Sequence, residues 1–266
     1  MKFLRYPGGK AKQLSFLVNH LPEGKDIKGT YIEPFVGGGS IFFHMNPENA
    51  LISDLNSELI TLYKGIKFYP HKVWETFESF PSGKASYYQI RDISVNGRPL
   101  YYRAARTLYL NRTCFKGMWR HNSNGNFNVG YGGEERRWVI THQNIVELSK
   151  YFRKVEIQNK DFEEVILNAS TNDFIFLDPP YKPGEKDLLE LHYISGKFMF
   201  DEQVRLADTL KSLPVSKQIQ WAMTNSSHKD ILELYKDFNI KHIPIGTSIR
   251  PGIQTRNSNE VLITNY

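Results

Sequence analysis

Near residue 178 the sequence combines side chains that suit a flat ligand bearing an amino group. The motif Asp178-Pro179-Pro180-Tyr181 follows the apolar run 173–177. Two consecutive prolines cannot continue a sheet ladder and hold φ fixed, so the carbonyls of this stretch point in set directions. Prolines at this place are also typical of a simple strand terminator. The aspartate and tyrosine add an acceptor and an apolar ring at the carboxyl end of a strand, where open α/β sheets bind ligands. We therefore interpret this Pro-Pro motif (Asp178 to Tyr181) as functional.

A glycine loop is the second candidate for chemistry. The β-prone run 30–35 ends at Val36-Gly37-Gly38-Gly39-Ser40. Residues without side chains at a strand-to-helix junction allow a ligand to lie against backbone N–H groups. Asp54, seventeen residues after Gly37, can accept hydrogen bonds from ribose hydroxyls. A triple glycine alone is often only a tight turn, and its order departs from G-x-G-x-x-G. The pattern favours a nucleoside cofactor and disfavours a nicotinamide.

Alternating strands and helices would position both candidates. Strand-like runs at 30–35, 50–54, 154–158, 173–177, 218–223, 241–245 and 260–264 alternate with helical patterns at 55–69, 201–213 and 228–238. Between residues 70 and 143 the pattern changes to two helices and a stretch with Asn124-Gly125, a strong hairpin signal. We predict an α/β fold with a mixed sheet, split by a mainly helical insertion that carries a β-hairpin.

Composition bounds the class of protein. The chain has 266 residues, 40% hydrophobic, and a formal net charge of +6. One cysteine, Cys114, excludes an intrachain disulfide framework, and the eight histidines show no metal-ligand spacing. We expect no metal. Because no run resembles a signal peptide or a spanning helix, we expect a cytoplasmic protein without a membrane partner.

The excess charge is confined to one segment. Residues 91–137 hold nine basic and three acidic side chains, whereas the rest of the chain is neutral. Tyrosine, phenylalanine and tryptophan are interleaved with the arginines, a pattern typical of surfaces that contact phosphates and bases. A solvated helix face with ordinary core aromatics would show the same composition.

Five motifs in order resemble those of the Dam-type (D12 class) DNA adenine N6-methyltransferases, alpha group. They are Tyr6-Pro7-Gly8-Gly9-Lys10, Glu33 through Ser40, Asp54, Asn111-Arg112-Thr113 with Phe127-Asn128-Val129, and the Pro-Pro motif. The resemblance implies a Rossmann-like mixed sheet of the class I S-adenosylmethionine-dependent type. It also implies a discontinuous catalytic domain (1–57 and 144–266) with an inserted target-recognition domain (58–143).

The resemblance further implies S-adenosylmethionine as the methyl donor. The residues at matching cofactor positions are Tyr6, Lys10, Phe35, Gly37, Gly39, Ser40, Asp54, Asp161, Phe162 and Asp178. An exocyclic amino group is a poor nucleophile, so Asp178 and the Pro179 carbonyl would hold its N–H bonds and turn its lone pair toward the methyl group. The adenine must leave the duplex for this, with Tyr181 stacking on it and the loop 182–197 closing over it.

Recognition of double-stranded DNA would fall to the basic segment. The candidate contacts are Arg112, Lys116, Arg120, His121, Asn122 and Asn124. Arginine reads guanine and asparagine reads adenine in bidentate fashion, although a phosphate contact or a salt bridge is the commoner role of a single arginine. The polar segment 250–259 is also expected near the DNA. GATC is the commonest target in the family and the first to test.

Several alternatives stay open. N4-cytosine methylation acts on the same kind of amino group, and a catalytically silent DNA-binding relative would keep the basic segment. RNA or protein-glutamine methylation is a further rival, disfavoured by the inserted basic domain. We expect a restriction-modification or an orphan or phage role, with a restriction endonuclease as a genetic partner in the first case. A monomer is expected, with a dimer as the alternative.

Overall fold

The computed structural model describes residues 4, 6, 10, 13–122, 125–181, 198–244 and 257–266, with the side chains of 257 and 258 outside the described part. Its helices and strands are α1 (Leu14–Leu17), β1 (Tyr31–Glu33), α2 (Ser40–Met45), β2 (Ala50–Ser53), α3 (Ser57–Phe68), α4 (Pro70–Ser79), α5 (Lys84–Asp92), α6 (Leu100–Thr113), α7 (His142–Tyr151), β3 (Val155–Gln158), α8 (Phe162–Leu167), β4 (Phe174–Leu177), α9 (Phe200–Lys211), β5 (Gln220–Ser226), α10 (Lys229–Leu234), β6 (Asn239–Pro244) and β7 (Asn257–Thr264).

The chain divides into two compact units. Among the described residues, the first unit, here the helical unit, contains 4, 6 and 56–159. The second, here the sheet unit, contains 10, 13–55, 160–181, 198–244 and 257–266. The assignment of 58–143 as a target-recognition domain stays a prediction.

The strands of the sheet unit lie side by side in the order β2-β1-β4-β5-β7-β6. The strands β2, β1, β4 and β5 are parallel, whereas β7 pairs antiparallel with both β5 and β6. Every residue of β1 and β4 is buried, as expected for parallel strands covered on both faces. The predicted α/β class with a mixed sheet is confirmed.

Parallel strands bring the chemistry-bearing residues to one edge of this sheet. β1, β2 and β4 end at Glu33, Ser53 and Leu177. Their carboxyl ends point the same way because β1 pairs in parallel with both β2 and β4. The glycine loop, Asp54 and the Pro-Pro motif therefore follow neighbouring strands at the same edge, where ligands bind in this class of sheet.

The helical unit is built around α6, a helix of 14 residues with buried positions from Ala104 to Thr113. Helix α3 begins at an N-cap, Asn56, whose side chain accepts from the Leu59 N–H. A Cβ on Gly65 of α3 would lie 2.2 Å from the Ala104 Cβ of α6. Only glycine allows this approach of the two helices.

The predicted hairpin is described in part. His121 and Phe127 form an antiparallel bridge, and the Asn122 N–H donates to the Asn126 carbonyl at 2.9 Å. The Asn122 side chain accepts from the Asn126 N–H at 3.0 Å. The residues between them, 123 and 124, lie outside the described part.

Sequence periodicity missed four of the helices in the described part of the chain. These are α1, α5, α7 and α8, which have four, nine, ten and six residues. A capping box at Thr141 and Asn144 begins α7, a signal readable in sequence. The predicted helix at 228–238 is shorter than expected, since α10 ends at Leu234. No helix among the described residues combines the length and apolar character that crossing a membrane requires.

Candidate active site

Asp178 lies directly after β4 and is held by two donors on one oxygen. Lys10 Nζ lies 2.7 Å from Asp178 Oδ1, and the Thr224 hydroxyl donates to the same oxygen at 2.7 Å. The Asp178 side chain keeps 21% of its surface exposed, against 7% for Lys10. Burial raises the pKa of Asp178, and Lys10 opposes this shift. The arrangement orients the carboxylate with Oδ1 fixed by donors.

Tyr181 is anchored at its hydroxyl. The hydroxyl donates to Glu260 Oε2 at 2.9 Å, and Gln13 donates to that oxygen at 2.6 Å. The Lys10 ammonium lies 4.7 Å from the centre of the Tyr181 ring, a cation–π distance. Lys10 therefore contacts both the first and the last residue of the Pro-Pro motif.

The glycine loop and Asp54 are joined by a hydrogen bond that the sequence analysis did not predict. The Gly37 N–H donates to Asp54 Oδ2 at 2.9 Å, and the Val36 N–H donates to the Ser53 carbonyl at 3.0 Å. Gly39 has φ +68° and caps α2, and a Cβ there would lie 2.8 Å from the Phe43 ring. The backbone conformation at Gly39 therefore favours glycine. The Asp54 carboxylate contacts the loop through its hydrogen bond from Gly37.

Glu33, at the end of β1, carries a buried carboxyl group to which sequence analysis assigned no role. It is 2% exposed and accepts from the Tyr31 hydroxyl at 2.6 Å. Burial raises the pKa of Glu33 to about 8; the Tyr31 hydrogen bond opposes this, and the charges of Asp178 and Asp54 add to it. A carboxylate inside an apolar strand was the signal that could have drawn attention to it.

Asp161 and Phe162 begin α8, and Arg205 of α9 holds both. Asp161 accepts two hydrogen bonds from Arg205, at 2.7 and 2.9 Å, and these lower the pKa of its carboxyl. The Arg205 guanidinium lies 4.1 Å from the centre of the Phe162 ring. Phe35 and Phe198 pack on Phe162, with ring centres 5.4 and 5.9 Å away. Sequence analysis did not single out Arg205.

The chemistry of this edge of the sheet suits S-adenosylmethionine. Asp54 and Asp178 are acceptors for hydroxyl and ammonium groups, and Phe35 presents a partly exposed aromatic ring. Ser40, the first residue of α2, lies beside Gly39. Tyr6 belongs to the helical unit, where its ring centre is 5.8 Å from that of Trp119. Within the described ranges no cluster of three metal-ligating side chains occurs.

The candidate DNA contacts lie in the helical unit, and several have partners within it. Arg112 is 3% exposed and donates to the Arg136 carbonyl at 2.7 Å. Arg120 donates to the Asn128 side chain at 2.8 Å, and a ring nitrogen of His121 lies 3.0 Å from a Glu58 oxygen. Lys116 and Asn122 are exposed, whereas Asn124 falls outside the described residues, as do the loop 182–197 and most of 250–259.

Two further arginines of the basic segment are enclosed. Arg106, 5% exposed, donates to the Ile90 carbonyl at 2.9 Å. Arg137 has no exposed surface; it donates to the Phe77 carbonyl at 2.9 Å and lies 4.8 Å from the Tyr109 ring centre. Together with Arg112 they bind backbone carbonyls of their own unit. In this structure the basic segment therefore presents fewer cations at its surface than its composition suggests.

Comparison with known proteins assigns the family. A family model described as D12 class N6 adenine-specific DNA methyltransferase matches residues 6–246. The chain is 34% identical to the type II methyltransferase M1.LlaDCHI of Lactococcus lactis subsp. cremoris, covering 99% of this chain and 95% of that one. It is 33% identical to the type II methyltransferase M.MjaIII of Methanocaldococcus jannaschii, over 99% and 98%. It is 26% identical to a DNA adenine methylase of Vibrio cholerae, over 98% and 94%.

The fold agrees with this match. The mixed sheet is that of a class I methyltransferase, and the family implies S-adenosylmethionine as methyl donor and DNA as substrate. The chain belongs to the D12 class of N6 adenine-specific DNA methyltransferases.

Proposed function

We propose that this enzyme methylates the N6 amino group of an adenine that has been flipped out of a short, specific duplex DNA sequence. The observation that carries the proposal is the fixed carboxylate of Asp178. Lys10 Nζ and the Thr224 hydroxyl each lie 2.7 Å from Asp178 Oδ1. We therefore assign Oδ2 as the oxygen that binds the substrate. The rigid prolines that follow place the Pro179 carbonyl as a second acceptor.

The two acceptors, the Asp178 carboxylate and the Pro179 carbonyl, would compensate for the weak nucleophilicity of an aromatic amino group. The N6 lone pair is delocalised into the ring, and holding both N–H bonds in fixed directions aims it for in-line attack. The new N–C bond forms as the sulfonium S–C bond breaks and leaves its electron pair on sulfur. The surplus N6 proton then leaves, and Asp178, whose pKa burial raises, is the acceptor that we assign.

The residues that would hold the cofactor are those at the carboxyl edge of the parallel strands. S-adenosylmethionine supplies an electrophilic methyl group. Asp54 would accept hydrogen bonds from the ribose hydroxyl groups of the cofactor, and Phe35 would pack on its adenine ring. Lys10 and Asp178 would lie next to the sulfonium end that carries the methyl group. We retain Asp161 and Phe162 in this set because Arg205 orients the Asp161 carboxylate and covers the Phe162 ring.

Base flipping is supported by the way Tyr181 is held. One face of its ring is covered by the Lys10 ammonium at 4.7 Å, and its hydroxyl is tied to Glu260. A ring fixed at its edge and on one face offers its other face for stacking. Such stacking would offset part of the few kcal/mol that extrusion of a base costs.

For DNA recognition we propose that Lys116, Arg120 and Asn122 contact the duplex. Lys116 and Asn122 are exposed, and Arg120 is partly exposed. We assign to Arg112 the support of this surface, because its side chain is enclosed and bound to the Arg136 carbonyl. His121 is tied to Glu58, which supports an anchoring role for it in the hairpin.

The relatives named type II methyltransferases support a role in restriction-modification. We propose GATC as the first target to test. Expressing the protein in a host that lacks DNA methylation, and then sequencing modified bases, identifies both the methylated base and its context. We expect N6-methyladenine in one short motif. Label found only in cytosine, or no methylated DNA, would contradict the proposed function, and another motif would replace GATC.

A further inference from the structure

A buried pair of amides lies behind the Pro-Pro motif. Gln203 of α9 and Asn225 of β5 have no exposed surface. Gln203 Nε2 donates to the Pro180 carbonyl at 2.8 Å, and Asn225 Nδ2 donates to Gln203 Oε1 at 3.0 Å. The Asn225 Oδ1 in turn accepts from the Ser226 N–H at 2.8 Å. The chain of hydrogen bonds runs from the core strand to the second proline.

The ends of this chain determine its direction. The Pro180 carbonyl can only accept, and the Ser226 N–H can only donate. Gln203 must therefore turn its NH₂ group toward Pro180, and Asn225 must turn its own toward Gln203. Reversing either amide would place like groups together in a buried site, which costs the desolvation of both.

Pro179 and Pro180 lack one means of fixing the backbone. Neither residue carries an N–H group, so neither can donate a backbone hydrogen bond that would hold this stretch. The Pro180 ring is exposed, so packing does not enclose it. The proline rings set φ and leave ψ free, so a donor that reaches the Pro180 carbonyl from the core fixes the peptide plane that follows Pro180.

We propose that Gln203 is a positioning residue for methyl transfer. By holding the Pro180 carbonyl, it fixes the directions in which the Pro179 carbonyl and the Asp178 carboxylate face the target amino group. The inference rests on the proposed role of the Pro-Pro motif. Because a displacement of about 1 Å at a reacting centre can cost about 100-fold in rate, loss of the tether should lower kcat far more than it lowers cofactor affinity.

Two variants at position 203 test the proposal. Gln203→Met keeps the length of the side chain and removes the donor, and we expect kcat to fall about 10- to 100-fold. The KM for DNA and the equilibrium affinity for S-adenosylmethionine should change by less than about threefold, a difference of less than 0.7 kcal/mol. Thr209→Val is the matched control, since Thr209 is a buried residue of the same helix that bonds the Arg205 carbonyl. Its kcat should stay within about threefold of wild type.

Gln203→Glu adds a readout that a merely structural role would not produce. An ionised glutamate sets acceptor against acceptor at Pro180, whereas a protonated one can donate. Burial raises the pKa of such a carboxyl, so the ratio of variant to wild-type kcat should rise several-fold from pH 8.5 to pH 6. Thermal unfolding at each pH separates this recovery from a change in stability. If Gln203→Met fails to fold, Gln203→Glu at pH 8.5, where the donor is lost, carries the same comparison, and its recovery at pH 6 is the control.

The outcomes separate the two proposals. A wild-type enzyme that fails to methylate adenine overturns the proposed function, whatever the variants do. An active wild type with Gln203→Met at wild-type kcat overturns the positioning role, as does a pH-independent ratio for Gln203→Glu. Loss of cofactor affinity in parallel with kcat would also overturn it.

Discussion

The sheet unit and the helical unit use their charged side chains in opposite ways. Around the Pro-Pro motif, carboxylates such as Asp178 remain partly exposed, and fixed donors orient them. In the helical unit Arg106, Arg112 and Arg137 are enclosed and donate to backbone carbonyls. The first arrangement leaves acceptor capacity for a substrate, whereas the second uses donors to bind backbone carbonyls of helices α4 and α5 and of the segment at Arg136. Charge counted along a sequence therefore does not measure charge offered to a partner.

Asp178→Ala gives the largest effect predicted from this comparison. It removes an acceptor that we assign to the transition state, so we expect kcat to fall about 10³-fold. The dissociation constant for duplex DNA should change by less than about threefold, because the proposed DNA contacts lie in the helical unit. Label transfer from S-adenosylmethionine and fluorescence anisotropy with labelled duplex measure the two quantities.

Asp178→Asn is the control, because it keeps the shape of the side chain and changes its charge. If Asp178→Ala lost DNA affinity and methyl transfer to the same extent, the proposed division of catalysis to the sheet unit and DNA binding to the helical unit would be contradicted.

Arg137→Met should lower the free energy of unfolding by about 3 kcal/mol, since it leaves buried carbonyls of Phe77 and Phe80 without their donor. Urea unfolding followed by circular dichroism measures this. Arg98→Ala is the matched control, because it removes an exposed arginine that lies 5.1 Å from the Tyr102 ring centre. We expect it to lower the free energy of unfolding by less than about 0.5 kcal/mol. An equal loss of unfolding free energy in Arg137→Met and Arg98→Ala would show that the buried arginine contributes no more to stability than the exposed one.

Lys116→Ala should weaken DNA binding about 3- to 10-fold at low salt and reduce the slope of log affinity against log salt by about one. Lys116 is exposed, so its charge is available to a phosphate. Lys236→Ala is the matched control, because it removes an exposed lysine of the sheet unit that is paired with Glu233 at 2.7 Å. We expect its salt slope to equal that of wild type. A slope unchanged in Lys116→Ala would remove this residue from the proposed surface.

Glu33→Gln should act through the pH dependence of stability. The folded-state pKa of Glu33, about 8, lies above its ordinary value of 4.5. The contribution of Glu33 to the free energy of unfolding is therefore fully present below pH 4.5 and is lost as the pH rises toward 8. Glutamine does not titrate, so the melting temperature of the variant relative to wild type should rise steadily between pH 5 and pH 8. A constant difference across this range would mean that Glu33 titrates near its ordinary value.

Local patterns predicted much of the fold and the first candidates for the site. The apolar run before Asp178 and the glycine loop before Ser40 each lie at a strand end, because a strand and its terminator are neighbours in sequence. The hydrogen bond from Gly37 to Asp54 was not predicted, although adjacent parallel strands place their ends side by side. Short helices such as α8 escaped prediction because six residues give too little periodicity.

The supports of the site were not predictable in this way. Thr224 and Asn225 follow the predicted strand 218–223 as an unexplained polar pair, and nothing in sequence connects them to Asp178 or Gln203. The same holds for the burial of Arg137, which looked like surface charge.

The sequence by itself determined the family motifs, the α/β class and the residues that can do chemistry, because these depend on residue type and on neighbours along the chain. Only the tertiary structure decided which oxygen of Asp178 is occupied, what holds Pro180, and which arginines are enclosed. These properties depend on partners tens of residues away. Their positions follow from strand pairing and helix packing, which composition and spacing do not specify.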